Sequence, residues 1–292
     1  MAAILITGCN SGFGLAAALA FARNGDQVFA TMRTPEKAGP LQKVAGSEGL
    51  NIHIKRLDVT QPGTFAGLVR EVVEEAGRID VLVNNAGILR AGALEDLSEQ
   101  AIREVMETNF FGPLLLARQV LPQMRKQRGG YIIMMSSLSG IAGLAGDVCY
   151  TASKFALEGA TEALRHEVDR WGIKVALVQA ALYATGIFNP SLPADSPLPK
   201  DYPESSPYRP LVESKLTGLR DKLPEALDPS VVGDLLLTIA NSDGTRLRWP
   251  ADELSTMVIG ALFGKSDAER DAFLRGAADS DWWSEGKDAP EG

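Results

Sequence analysis

The chain has 292 residues, 45% hydrophobic and 23% charged, a composition that can bury a core without disulfide or metal staples. Its 29 lysines and arginines against 37 aspartates and glutamates leave a net charge of −8, which argues against binding nucleic acid or an anionic membrane surface, since both need basic patches. Two cysteines (Cys9, Cys149) and two histidines (His53, His166) provide neither a disulfide framework nor zinc-ligand spacing, so no metal is expected. His166 reads as a helix-face residue.

The chain opens on an apolar run over residues 3–7. No basic segment leads a long apolar stretch, and no run reaches the roughly 18–20 uncharged residues of a membrane span, so a cytoplasmic enzyme without signal peptide is expected. Further apolar runs at 27–31, 51–57, 79–83, 130–136 and 173–179, with a shorter one at 245–249, predict strands. Amphipathic stretches at 14–23, 64–76 and 152–170 predict helices between them. That alternation implies one α/β, doubly wound domain, a parallel sheet of about seven strands with helices on both faces. The catalytic unit is expected over 1–250, with 251–292 as a helical extension of the same domain. Residues 189–210 hold Pro190, Pro193, Pro197, Pro199, Pro203, Pro207 and Pro210. Proline removes a backbone donor and fixes φ, so the reading there is an irregular substrate lid, spanning about 186–225. The last stretch, 281–292, is polar apart from Trp282 and Trp283; its end is expected to move, and the two tryptophans to cover a pocket of their own or a neighbouring subunit, or to have no role.

The first strand runs into Gly8-Cys9-Asn10-Ser11-Gly12-Phe13-Gly14. A glycine-rich turn between a strand and a helix lets the backbone approach a pyrophosphate and offers it free N–H groups. The second strand ends Thr31-Met32-Arg33, with no acid before Glu36. An acid there would bind ribose hydroxyls and favour NAD; Arg33 can instead pair with a 2′-phosphate, so NADP(H) is favoured, with NAD(H) as the alternative.

Tyr150 and Lys154 stand four apart, on one helix face. A lysine cation beside a tyrosine favours the phenolate and lowers the tyrosine pKa, fitting it for proton exchange. Upstream, the run 131–135 ends in Ser136-Ser137. In a doubly wound sheet ligands bind beyond the carboxyl ends of strands, so Ser137 is expected to share a crevice with Tyr150 and to donate to a substrate oxygen.

These motifs, together with Asp58-Val59, Asn84-Asn85-Ala86-Gly87 and Asn109-x-x-Gly112, resemble the short-chain dehydrogenases/reductases over about residues 3–250. The resemblance implies a catalytic set of Ser137, Tyr150 and Lys154, with Asn109 as a fourth member anchoring a water in a proton relay. It implies a cofactor site at Gly8, Asn10, Ser11, Gly12, Phe13 and Gly14, with Asp58 and Val59 at the adenine and Asn85, Ala86 and Gly87 beside the fourth strand. Lys154 would also hold the nicotinamide ribose and Thr185 the carboxamide. The Thr31-Met32-Arg33 run looks like NADP-preferring members similar to the 17-beta-hydroxysteroid dehydrogenases and carbonyl reductases. One departure is Ala180-Ala181, where the family commonly has Pro-Gly; a differently shaped nicotinamide pocket is expected.

The substrate side is read from Leu89, Leu138, Leu144, Val148, Tyr183, Ile187 and Phe188, a mostly apolar set that fits a hydrophobic carbonyl or alcohol. Arg90 and Asp147 are candidates for its polar groups. The resemblance also implies a homodimer or homotetramer through the helices near Phe111 and Tyr150, whose Leu114-Leu115-Leu116, Ala152, Ala156, Gly159 and Ala160 suit close packing. The leading reading is an NADP(H)-dependent oxidoreductase interconverting a ketone or aldehyde and an alcohol. The alternatives are an NAD-dependent alcohol dehydrogenase and a non-enzymatic cofactor sensor on the same fold.

Overall fold

Each apolar run becomes a strand in the computed structural model, which describes residues 1–188, 198–199 and 202–289. In chain order the elements are β1 (Ala3–Thr7), α1 (Gly12–Arg23), β2 (Gln27–Met32), α2 (Gly39–Glu48), β3 (Ile52–Arg56), α3 (Phe65–Ala76), β4 (Val81–Asn84), α4 (Glu99–Met106), α5 (Gly112–Gln127), β5 (Gly130–Met135), α6 (Val148–Val168), β6 (Ile173–Gln179), α7 (Arg209–Lys222), α8 (Ser230–Ala240), β7 (Arg248–Pro250), α9 (Glu253–Leu262), α10 (Asp267–Ala277) and α11 (Asp281–Ser284).

Among the described residues seven strands pair in one sheet, in the order β3-β2-β1-β4-β5-β6-β7 and all parallel. Strand periodicity divides the core into two layers. Ile4, Ile6, Val28 and Ala30 face Phe21 of α1 and Leu236 of α8. Ala3, Leu5, Phe29 and Ile132 face Val72 of α3, Val120 of α5 and Leu157 of α6. Because both faces are covered, β1 is apolar at nearly every position rather than alternating.

Several boundaries differ from the sequence expectation, each with a local cause. Helix α1 starts at Gly12 rather than 14, with Ser11 at its N-cap position. Strand β4 starts at Val81, since the Ile79 N–H goes to the Gln127 side chain instead of the ladder. Helix α6 starts at Val148, so Tyr150 falls in its first turn. Strand β7 starts only at Arg248 because Asp243 Oδ1 accepts from Thr245 N at 2.9 Å and Oγ1 at 2.7 Å, closing a turn around Gly244 at φ +77°. The proline-rich stretch is not irregular throughout: α7 begins at Arg209, with Pro210 in the first turn, where its missing N–H has no intrahelical partner to lose. Pro190, Pro193 and Pro197 lie outside the described residues.

The extension after β7 is ordered through α11. Asp252 caps α9 by accepting from Ser255 N at 2.6 Å, and Ser266 with Glu269 forms a capping box on α10. From α10, Arg270 donates to Ile141 O at 2.6 Å, tying the extension to the segment after β5. Trp282 is buried, and the Trp283 ring lies 6.3 Å from that of Tyr208 at the head of α7. The tryptophans therefore pack within their own chain.

The contact between α1 and α8 on one face of the sheet makes a testable element. Leu236→Ala should cost about 2–5 kcal/mol of unfolding free energy in a urea titration, since the side chain is fully buried and a cavity would remain. A loss below about 1 kcal/mol would mean that α8 packs loosely.

Candidate active site

Every strand is parallel, so every strand leads its loop out at the same edge of the sheet. Gly8 after β1, Arg33 after β2, Asp58 after β3, Asn85 to Gly87 after β4, Ser137 after β5 and Thr185 after β6 all lie there. The order reverses between β1 and β4, which opens a crevice at their carboxyl ends. A separate hollow of about 360 Å³ lined by Asp26, Asp80, Tyr131 and Lys174 opens at the opposite edge, away from these groups.

The crevice floor is pinned by Thr7. Its Oγ1 accepts from Asn85 N and Ala86 N, both at 2.9 Å, while Asn85 Nδ2 donates to Thr7 O at 2.8 Å and Gly8 O at 3.2 Å. Gly8 and Gly12 have φ of +74° and +55°, which L side chains rarely adopt. A Cβ on Gly14 would lie 2.3 Å from Gly8 O and 2.5 Å from Asn85 Nδ2, so only glycine lets α1 start this close to β1. A Cβ on Gly12 would meet Thr185 at 3.2 Å, which puts Thr185 beside the turn. Asn10 and Ser11 are exposed in this turn, and Phe13 packs edge-on to Tyr183 with ring centroids 5.0 Å apart. Backbone N–H groups at a helix start, flanked by glycines, form a cradle that fits a pyrophosphate. Arg33 is exposed and has no ion-pair partner among the described residues. Asp58 Oδ1 accepts from Thr60 N and Oγ1, and Val59 is buried against the start of α5.

The second cluster stands on α6. Lys154 is buried and its Nζ donates to Met135 O at 2.7 Å, holding the head of α6 against the end of β5. Its Nζ lies 5.6 Å from the Tyr150 ring centroid. Asn109 sits in a π-helical turn, Glu107–Phe111, between α4 and α5. The extra residue per turn breaks the regular register there, and the Asn109 side chain bonds outside its own helix. Its Oδ1 accepts from Ile88 N, and its Nδ2 donates to Ile88 O and to Ser153 Oγ at 3.1 Å. Ser153 Oγ in turn donates to Tyr150 O at 2.6 Å. Ser137 interacts with the Tyr150 side chain and accepts from Ser139 N. Asn109, Ser137, Tyr150 and Lys154 are thus brought together by three separate segments. The sequence reading assigned no role to the hydroxyls of Thr7 and Ser153, which make the internal bonds of the site; a hydroxyl at a strand end and one inside the Tyr-x-x-x-Lys spacing were the available signals.

Electrostatically the site departs from expectation. Tyr150 is not pulled below its ordinary pKa: burial pushes it up to about 12, opposed by Ser137 and assisted by the charge of Asp147. Burial pushes Lys154 down to about 8, opposed by Glu158 one turn along. Desolvation acts against the charged form of each group and is the largest influence on both.

On the substrate side, Leu89, Leu138, Leu144 and Ile187 are half-buried and Val148 is exposed, whereas Tyr183 belongs to the core. It is fully buried, and its hydroxyl donates to Ala251 O. The side chain of Phe188 lies outside the described residues. Arg90 is paired with Glu104 at 3.0 Å and Asp147 with Lys215 at 2.5 Å, so neither is a free polar contact. Ala180 and Ala181 cause no backbone strain, since neither has a positive φ, and Ala181 N donates to Asp252 Oδ2.

A family model described as short chain dehydrogenase matches residues 2–195. The chain is 38% identical over 249 residues to an uncharacterized oxidoreductase, YusZ, of Bacillus subtilis, covering 84% of this chain and 87% of that protein. It is 32% identical over 252 residues to 17-beta-hydroxysteroid dehydrogenase type 1 of Mus musculus, covering 84% and 72%. The crystal structure of a short-chain dehydrogenase from Streptomyces avermitilis superposes with a TM-score of 0.75 at 29% identity, covering 98% of each chain.

The burial of Lys154 predicts a pH dependence. An unfolded lysine titrates near 10.5 and the folded Lys154 near 8, so between those values the unfolded chain binds more protons and stability rises with pH. Urea unfolding of the parent and of Lys154→Met should show the parent gaining up to about 3 kcal/mol relative to the variant across that window. A constant difference would show that Lys154 is solvated.

Proposed function

The chain belongs to the short-chain dehydrogenase family and is an NAD(P)-dependent oxidoreductase; on that premise we propose that it interconverts a hydrophobic ketone or aldehyde and its alcohol, using NADP(H). The observation that carries the reading is the cluster of buried Tyr150, Lys154 and Asn109 with half-buried Ser137, opening beside a glycine turn at the sheet's switch point. The turn residues from Gly8 to Gly14, with Asp58, Val59, Asn85, Ala86, Gly87 and Thr185, are the proposed cofactor cradle. Arg33 supports NADP(H), because an exposed guanidinium after β2 can take a 2′-phosphate through charge-assisted hydrogen bonds.

When bound, the nicotinamide supplies or accepts the hydride, and its oxidised form brings a positive charge. In reduction, the Tyr150 hydroxyl gives its proton to the substrate oxygen while Ser137 donates a hydrogen bond to the same atom. A pKa near 12 in the free chain keeps Tyr150 protonated and ready to donate. In oxidation a cation beside the phenol favours the phenolate, so Tyr150 accepts the proton. Lys154, fixed by Met135 O, is suited to the ribose hydroxyls, and Asn109 to a relay water.

The apolar lining from Leu89, Leu138 and Leu144 supports a hydrophobic substrate, and the mouse relative is named for a steroid. Helix α7 and the residues before it are the proposed substrate lid. They pack Leu198, Tyr202, Val212 and Leu216 around Ala93. We also propose a homodimer or homotetramer through α5 and α6, because Phe111, Val148 and Phe155 are each at least 40% exposed on that side.

Titration with NADPH and NADH, followed by a panel of aldehydes and ketones, tests the assignment. Tyr150→Phe should bind NADPH and lose at least about a hundredfold in turnover; full turnover by this variant would sink the mechanism. Arg33→Ala should weaken NADPH about tenfold or more and leave NADH unchanged. An equal loss with both cofactors would remove Arg33 from the phosphate site.

A further inference from the structure

We propose that Lys215, carried on α7, is a positioning residue of the reaction: by pairing with Asp147 at the head of α6 it sets the charge that Tyr150 faces. The proposal rests on the reading of Tyr150 as proton donor. Asp147 occupies the N-cap position of α6, where an aspartate ordinarily accepts from the first-turn N–H groups, yet its side chain makes no such bond. Its Oδ2 instead lies 2.5 Å from Lys215 Nζ, with the two side chains only 10% and 16% exposed. Among the described residues Asp147 Oδ1 accepts no hydrogen bond, and Lys215 Nζ has no polar partner besides this ion pair. Gly146 takes φ +77°, and its backbone lies against the lysine stem, since a Cβ there would make ordinary contact with Lys215 Cδ at 3.5 Å.

The neighbouring segments are joined to the same point. Gly92 N donates to Gly146 O at 2.9 Å, linking the loops after β4 and β5. Tyr202 and Ser206, ahead of α7, both donate to Asp96, and Tyr208 to Glu95. Asp147 stands at the N-cap of α6, three residues before Tyr150 in its first turn, and its charge disfavours the Tyr150 phenolate, so the cation that neutralises Asp147 acts on Tyr150 through it. Among the described residues the other titratable groups around this helix start are Lys154 and Cys149 on α6, Arg90 paired with Glu104 of α4, and Tyr202 bonded to Asp96. A nearly buried ion pair seldom adds net stability over an apolar pair of similar volume, whereas a pair next to the proton donor has a functional effect.

The test compares Lys215→Met, Asp147→Asn, the double variant and Lys215→Arg. Two readouts are used: the alkaline limb of kcat/KM for NADPH-dependent reduction of phenanthrenequinone, and the phenolate absorbance titration of each chain against its Tyr150→Phe partner, which needs no substrate. Lys215→Met exposes Tyr150 to an unneutralised carboxylate and should raise its apparent pKa by about half to one unit. Asp147→Asn should lower it by a similar amount, the double variant should return near the parent, and Lys215→Arg should match the parent. Shifts of the same sign, or none, with Tyr150→Phe inactive would overturn the proposal and leave the function standing. Full turnover by Tyr150→Phe would overturn the role of Tyr150 itself. Should Lys215→Met fail to fold, Asp147→Asn decides alone, and an unmoved limb overturns the proposal.

Discussion

The bonds between Thr7 and the Asn85–Ala86 backbone hold the structure's central constraint. They join β1 to β4 at the point where strand order reverses, so the crevice forms where the two strands part. Everything that reaches the crevice depends on that junction. The glycine turn is fixed because Asn85 Nδ2 also binds Thr7 O and Gly8 O. Gly14 then has no room for a side chain, so α1 points its start at the opening.

From that junction the second cluster is placed by long-range packing. Lys154 reaches across to Met135 O at the end of β5, and Asn109 reaches from a π turn to the Ile88 backbone after β4. Each bonds backbone of a neighbouring segment, and Asn109 also the Ser153 hydroxyl, which rigidifies the site before any substrate arrives. The cost is desolvation, and it explains why Tyr150 and Lys154 are displaced toward their neutral forms. A dry, preorganised cluster is the environment in which a well-placed charge acts strongly.

The same logic extends to the outer layer. Asp96, Asp147 and Glu95 receive tyrosine, serine and lysine groups from α7 and the residues before it. Trp283 packs on Tyr208 from behind, and Arg270 holds Ile141 O. Residues far apart in the chain, from the 90s to the 280s, thus converge on one rim.

Much of the architecture was legible because its signals are local. Strand and helix alternation, the glycine turn after β1, and the Tyr150–Lys154 spacing are set by backbone sterics and short-range periodicity. The same locality let Ser137 be named at a strand end, whereas Asn109 was named only through the family resemblance. What the chain order could not carry was burial. The direction of the Tyr150 and Lys154 shifts follows from how much protein surrounds them, which the four-residue spacing does not record. Tyr183 looked like a pocket residue until Phe13 and the Ala251 carbonyl took up its ring and hydroxyl. Asp147 and Arg90 looked free until Lys215 and Glu104 arrived from distant segments. The sequence by itself determined the fold and the chemistry-bearing residue types, because those rest on neighbours a few positions away; only the tertiary structure decided charge state and partnership, because those rest on groups that folding brings together.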